Sequence, residues 1–128
     1  MSYYFNTTVD ADFEQAIDRV KDELKKEGFG VLTEIDVKNT FREKLDIDFR
    51  NYRILGACNP SFAHQALLTE GKVGVMLPCN VVVEEREQGK VEVTAVDPVA
   101  SMSAIPNQDL ESIAGEVREK LKRVISNL

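Results

Sequence analysis

Tryptophan is absent from this chain, histidine occurs once and cysteine only twice. Each scarcity excludes something. Two cysteines are too few for the disulfide framework of a small secreted scaffold. A single histidine, His64, with no partner evident to orient it, argues against a serine or cysteine triad. No G-x-S-x-G elbow, H-E-x-x-H helix or glycine-rich phosphate loop occurs. No apolar run approaches the roughly 18 residues of a membrane span. The first residues lack the basic and apolar regions of a secretory signal. These absences lead us to expect a cytoplasmic protein with reduced thiols and no membrane partner. Positive charge is nowhere concentrated: 16 basic residues alternate with 22 acidic ones for a net charge of −6. A nucleic-acid partner is therefore not expected, since such binding needs clustered cations. The densest mixed stretch, Arg42 to Arg53, reads as a solvated face, with an anion-binding patch as the alternative.

What is present is an ordinary globular mixture. Of 128 residues, 43% are hydrophobic and 30% charged, enough for a real core in a single domain over residues 1–128. Residues 3–9 mix aromatic and β-branched side chains and predict a strand. Asp10 or Asp12 then caps a helix whose Phe13, Ile17, Val20 and Leu24 form one apolar face, ending at Gly28. Residues 30–37 predict a strand with Val31, Thr33, Ile35 and Val37 on one face and Leu32, Glu34 and Asp36 on the other. A short helix over 39–45 and a strand over 50–58 follow. Residues 60–69 predict a helix, with Asn59 as its cap and Pro60 at its first position. Residues 73–87 read as a strand broken at Pro78, which cannot donate a ladder hydrogen bond. Gln88-Gly89 turns it into a second strand over 90–96. After Asp97-Pro98 and a looser segment, Pro106-Asn107 opens a last amphipathic helix. The order β-α-β-(α)-β-α-β-β-α, with its hairpin, predicts an α+β fold: a mostly antiparallel sheet covered by helices.

The residues able to carry chemistry gather around the two cysteines, in Cys58-Asn59-Pro60 and Pro78-Cys79-Asn80. Cys58 is expected just before a helix N-terminus, where partial positive charge favours a thiolate. It reads as a reactive thiol or ligand, or as a small hydrophobe filling a strand-to-helix corner. Cys79 follows the strand break and, if alternation survives, points into the core with Val75, Leu77, Val81 and Val83. The mirrored neighbours Asn59 and Asn80 make Cys58, Asn59, Cys79 and Asn80 the candidate ligand-binding set. His64 falls about 130° from its helix's apolar face at 100° per residue, so it reads as a surface residue. The alternative is a Cys58, Cys79, His64 site for a divalent metal such as zinc with an open fourth position. Glu34 and Asp36, side by side on one strand face, read as a carboxylate pair or as a solvated face.

Four runs are also similar to a known family: Gly28-Phe29-Gly30-Val31-Leu32-Thr33-Glu34-Ile35-Asp36-Val37, Ile54-Leu55-Gly56-Ala57-Cys58-Asn59-Pro60, Gly74-Val75-Met76-Leu77-Pro78-Cys79-Asn80-Val81-Val82-Val83, and Asp97-Pro98. In order and spacing they resemble the domain-of-unknown-function 302 family of small bacterial and archaeal proteins. The resemblance implies a TATA-binding-protein-like topology and a homodimer. It implies no substrate and no catalytic residue, and a fold label carries no nucleic-acid role with it.

Three functions are thus in contention. The first is a dimeric module binding a small molecule, anion or metal near Cys58 and Cys79. The second is a thiol-dependent enzyme or redox protein using Cys58. The third is a structural or interaction module with buried cysteines.

Overall fold

The computed structural model describes residues 2–128. Five strands, β1 (Tyr4–Asp10), β2 (Gly30–Asp36), β3 (Tyr52–Cys58), β4 (Cys79–Glu87) and β5 (Lys90–Val96), form one sheet in the order β1-β5-β4-β3-β2. Every neighbouring pair is antiparallel. The helices are α1 (Phe13–Lys26), α2 (Val37–Leu45), α3 (Pro60–Thr69), α4 (Pro98–Ser101) and α5 (Gln108–Ser126). The fold is α+β, as the element order predicts.

Local chemistry starts both long helices where the sequence indicates. The Asp12 carboxylate accepts the Glu14 N–H, and Lys25 and Lys26 occupy the last turn of α1. The Asn107 side chain accepts the N–H groups of Asp109 and Leu110 at the start of α5. Ile17, Val20 and Leu24 of α1, with Leu121 and Val124 of α5, are buried against Val81, Val83, Val91 and Val93 of the sheet. A second, smaller cluster joins Ala66 of α3, Val73, Met102, and Leu110 and Ala114 of α5. On the other face of the sheet Asn6, Thr8 and Ile35 are exposed.

The structure corrects the expected elements in three places. Residues 73–87 are not one broken strand. Val73–Met76 form a 3₁₀ turn, and β4 begins only at Cys79, past the proline that cannot join the ladder. Cys79, Val81 and Val83 do point inward, but Val75 is 81% exposed. In β2 the simple alternation fails. A register shift between Val31 and Thr33 sets Val31 opposite Ala57, Glu34 opposite Leu55 and Asp36 opposite Arg53. Val31 therefore shares the helix-covered face with Glu34 and Asp36, because a bulge adds one residue and reverses the faces beyond it. Finally, the segment after Asp97 is not loose at its start. The buried Asp97 caps α4 through Val99 N–H (3.0 Å) and accepts Arg118 Nε from α5 (3.1 Å). The Arg118 guanidinium lies over the Phe5 ring of β1, so one carboxylate ties α4 to α5 beside the edge strand.

The β2 shift has a consequence for β3. It brings Thr33 opposite Gly56, while Pro78 closes over the same residue from the β4 side. A Cβ on Gly56 would overlap Thr33 Oγ1 and approach Pro78 Cγ to 2.7 Å. Gly56→Ala should therefore destabilise the fold by about 1–3 kcal/mol through overpacking. Gly115→Ala, in a helix with no atom near the added methyl, should stabilise it by about 0.5–1 kcal/mol. Urea denaturation of the two variants checks both signs.

Candidate functional site

The two core clusters do not close completely on one another. Between them lies a cavity of about 310 Å³. Phe29, Ala57 and Cys79 form its wall at the end of the sheet, and Phe62, Ala63, Ala66 and Leu67 of α3 form a second. Ile113, Ala114 and Val117 of α5 supply a third, with Met102 and Pro98 beneath. The origin of the space is steric. Four alanines, at 57, 63, 66 and 114, stand where larger side chains would meet. Neither cluster can collapse into the gap, since α3 is seated on α5 and β3 is locked between β2 and β4. The volume lies at the small end of the range for ligand pockets.

Both cysteines reach this cavity, and both are free thiols. Cys79 opens β4 opposite Ala57. Cys58, one residue beyond Ala57, alternates to the other side of the sheet and meets the cavity near Leu32, Thr33 and Pro78. Cys58 is half-buried, whereas Cys79 is 7% exposed. Burial pushes the Cys79 thiol up from 9.0 to about 11, and neighbouring Cys58 adds to the shift. At neutral pH Cys79 is a protonated, apolar-like wall residue.

Asn59 also lines the cavity but does not cap α3 as expected. Its Nδ2 instead donates to the Glu27 carbonyl at 3.2 Å, joining the start of α3 to the end of α1. Gly28, in the left-handed region at φ +88°, leaves room for that amide. Asn80 faces away: it sits opposite Gly56, is exposed and does not line the cavity. His64 is likewise exposed on the outside of α3. Among the described residues, no three His, Cys, Asp or Glu side chains gather as metal ligands.

The carboxylates of Glu34 and Asp36 are held elsewhere. Arg53 Nη1 donates to Glu34 at 3.3 Å, and Nη2 lies 3.0 Å from Glu14 and 3.7 Å from Asp36. Lys21 donates to Glu34 at 3.0 Å. This network binds α1 to β2 and β3. The Arg42 to Arg53 stretch is similarly engaged, with Arg42 on Asp46 and Asp48 and Arg50 on Glu84.

Of the sequence candidates, Cys58, Asn59 and Cys79 line the cavity, whereas the α5 wall and Met102 were not among them. A signal was present: α3 carries apolar side chains all round, at Phe62, Leu67 and Leu68, although it is too short to be a wholly buried helix.

The Cys79 shift fixes the sign of a pH effect. The folded chain keeps a proton that the unfolded chain releases near pH 9.0, so this stabilisation is complete below that pH and lost as pH rises to about 11. Urea denaturation at pH 7 and pH 10.5 should show wild type losing about 2 kcal/mol more than Cys79→Val. Equal losses would mean that the thiol is not buried as described.

Comparison with known proteins adds a family. No curated protein matches. Among solved structures, the crystal structure of an uncharacterised conserved DUF302 protein from Bacillus stearothermophilus is similar at 29% identity, with a TM-score of 0.90 over 98% of each chain. Residues 5–128 match the model of the domain of unknown function DUF302, and the chain belongs to that family.

Proposed function

We propose that the protein is a small-molecule-binding module whose site is the cavity between α3, α5 and the end of the sheet. The observation that supports this most is an apolar cavity of about 310 Å³ that a half-buried thiol, Cys58, also lines. Apolar walls with few polar groups are the usual form of a small-ligand pocket. Thr33 and Asn59 supply the polar groups beside the thiols. The ligand this favours has an apolar body and occupies the volume left by the four alanines. A zinc site is not part of the reading, because His64 stands apart from the two thiols. Thiol catalysis is the weaker reading: Cys58 has no basic side chain beside it among the cavity-lining residues.

Two further parts of the proposal concern context. Two free thiols suit a reducing cytoplasm. No helix is long and apolar enough to cross a membrane. A homodimer would use the sheet face opposite α1 and α5, where Ile35 and Tyr4 are exposed. Sedimentation of wild type against Ile35→Asp tests it, with dissociation expected in the variant.

Titration with 1-octanol, followed by methyl NMR, tests the binding reading. Resonances of Met102, Ile113, Val117 and Leu67 should move together and saturate. Ala63→Phe fills the cavity from its half-buried wall, and should abolish the shifts while the variant still melts cooperatively. Shifts scattered over the surface, or undiminished in Ala63→Phe, would reject the site.

A further inference from the structure

The cavity reading leaves open which class of apolar molecule enters, and the reactive groups of the lining bear on that choice. Among the described residues, no charged side chain lines the cavity. Its strong nucleophiles are the thiols of Cys58 and Cys79. The two differ in what they can do. Cys79 is buried, and burial pushes its thiol up to about 11, so near neutral pH it keeps its proton and does not attack. Among the described residues nothing accepts its S–H, which leaves a weak donor for a ligand oxygen.

Cys58 is half-buried and reachable. Its ladder partner on β2 is Gly30, and directly opposed residues share a face of the sheet. A Cβ on Gly30 would meet nothing within 4 Å, so the space across the ladder from the Cys58 side chain is open. Leu32, which also lines the cavity, is 70% exposed, and the apolar surface therefore continues to solvent on this strand. Cys58 stands where that opening meets the apolar walls.

Resting on the cavity reading, we propose that Cys58 captures apolar α,β-unsaturated aldehydes and ketones by conjugate addition, with the hydrocarbon tail held in the cavity. The sulfur forms a bond to the β-carbon, the π pair of the carbon–carbon double bond moves toward the carbonyl, and the thiol proton ends on the α-carbon. No group leaves and no oxidant or reductant takes part. The lining holds no acid or base to activate a leaving group, so a stoichiometric addition suits it better than acyl transfer.

Two electrophiles, 2-octenal and acrolein, share the reacting unit and differ in the tail. Each is added to the protein at pH 7.5 and followed by intact-mass spectrometry and peptide mapping. Wild type should gain the whole mass of one 2-octenal, on Cys58, and Cys58→Ser should gain none. Excess 1-octanol should slow the reaction of wild type with 2-octenal at least about tenfold relative to that with acrolein, and Ala63→Phe should lower the same ratio of rates as far. If 1-octanol binds in the cavity but Cys58 takes no 2-octenal, or takes it at a rate that 1-octanol does not slow, the covalent inference is wrong and the cavity reading stands. If 1-octanol does not bind and the two electrophiles respond alike, both are wrong.

Discussion

The pairing of Ala57 with Cys79 at the end of β3 and β4 governs this end of the molecule. It stops the sheet where α3 must begin, and it places two small side chains on the face that α3 and α5 approach. Ala63 and Ala66 of α3 and Ala114 of α5 then meet small residues instead of large ones. A well-packed interior leaves few voids larger than water. Here the helices are held apart by contacts elsewhere, in Leu110 with Val73 and Met102 on one side and in Leu121 and Val124 with the α1 and sheet residues of the larger cluster on the other. The space between the two clusters follows from that geometry.

Polar interactions position this arrangement without entering it. Asn59 fastens the start of α3 to the end of α1, Arg123 holds Glu27 of the same turn, and Asp97 with Arg118 fixes α4 against α5. Arg53 gathers three carboxylates between α1 and the β2 edge. Exposed ion pairs of this kind contribute little each, but those that are half-buried set the direction of a helix. Their effect on function is indirect: they pair charges near the cavity, and its lining carries no charged side chain.

Much of the fold was legible because its periodicities are long and clean. The helix of Phe13, Ile17, Val20 and Leu24 and the hairpin through Gly89 lie where their patterns place them. Bulges and short turns were not legible. One added residue near Leu32 reverses the faces of β2, and no residue type announces it. The stretch from Val73 to Leu77 has strand-like composition, yet Pro78 separates it from the ladder. Of the cysteine motifs, Cys58 and Cys79 both line the cavity, while Asn59 and Asn80, alike in sequence, part company. Asn59 is drawn to the Glu27 carbonyl and Asn80 faces out opposite Gly56. Residues that come together only through tertiary packing, such as Met102, Ala114 and Val117, leave no local pattern to read.

The account turns on whether the volume between the clusters is real and apolar. Diffraction from crystals pressurised with xenon measures this directly, since dry apolar cavities take up the gas. One strong xenon peak in contact with Cys79, Ala66 and Val117 is the predicted result. Density showing side chains closed into that space, with no xenon there, would contradict it.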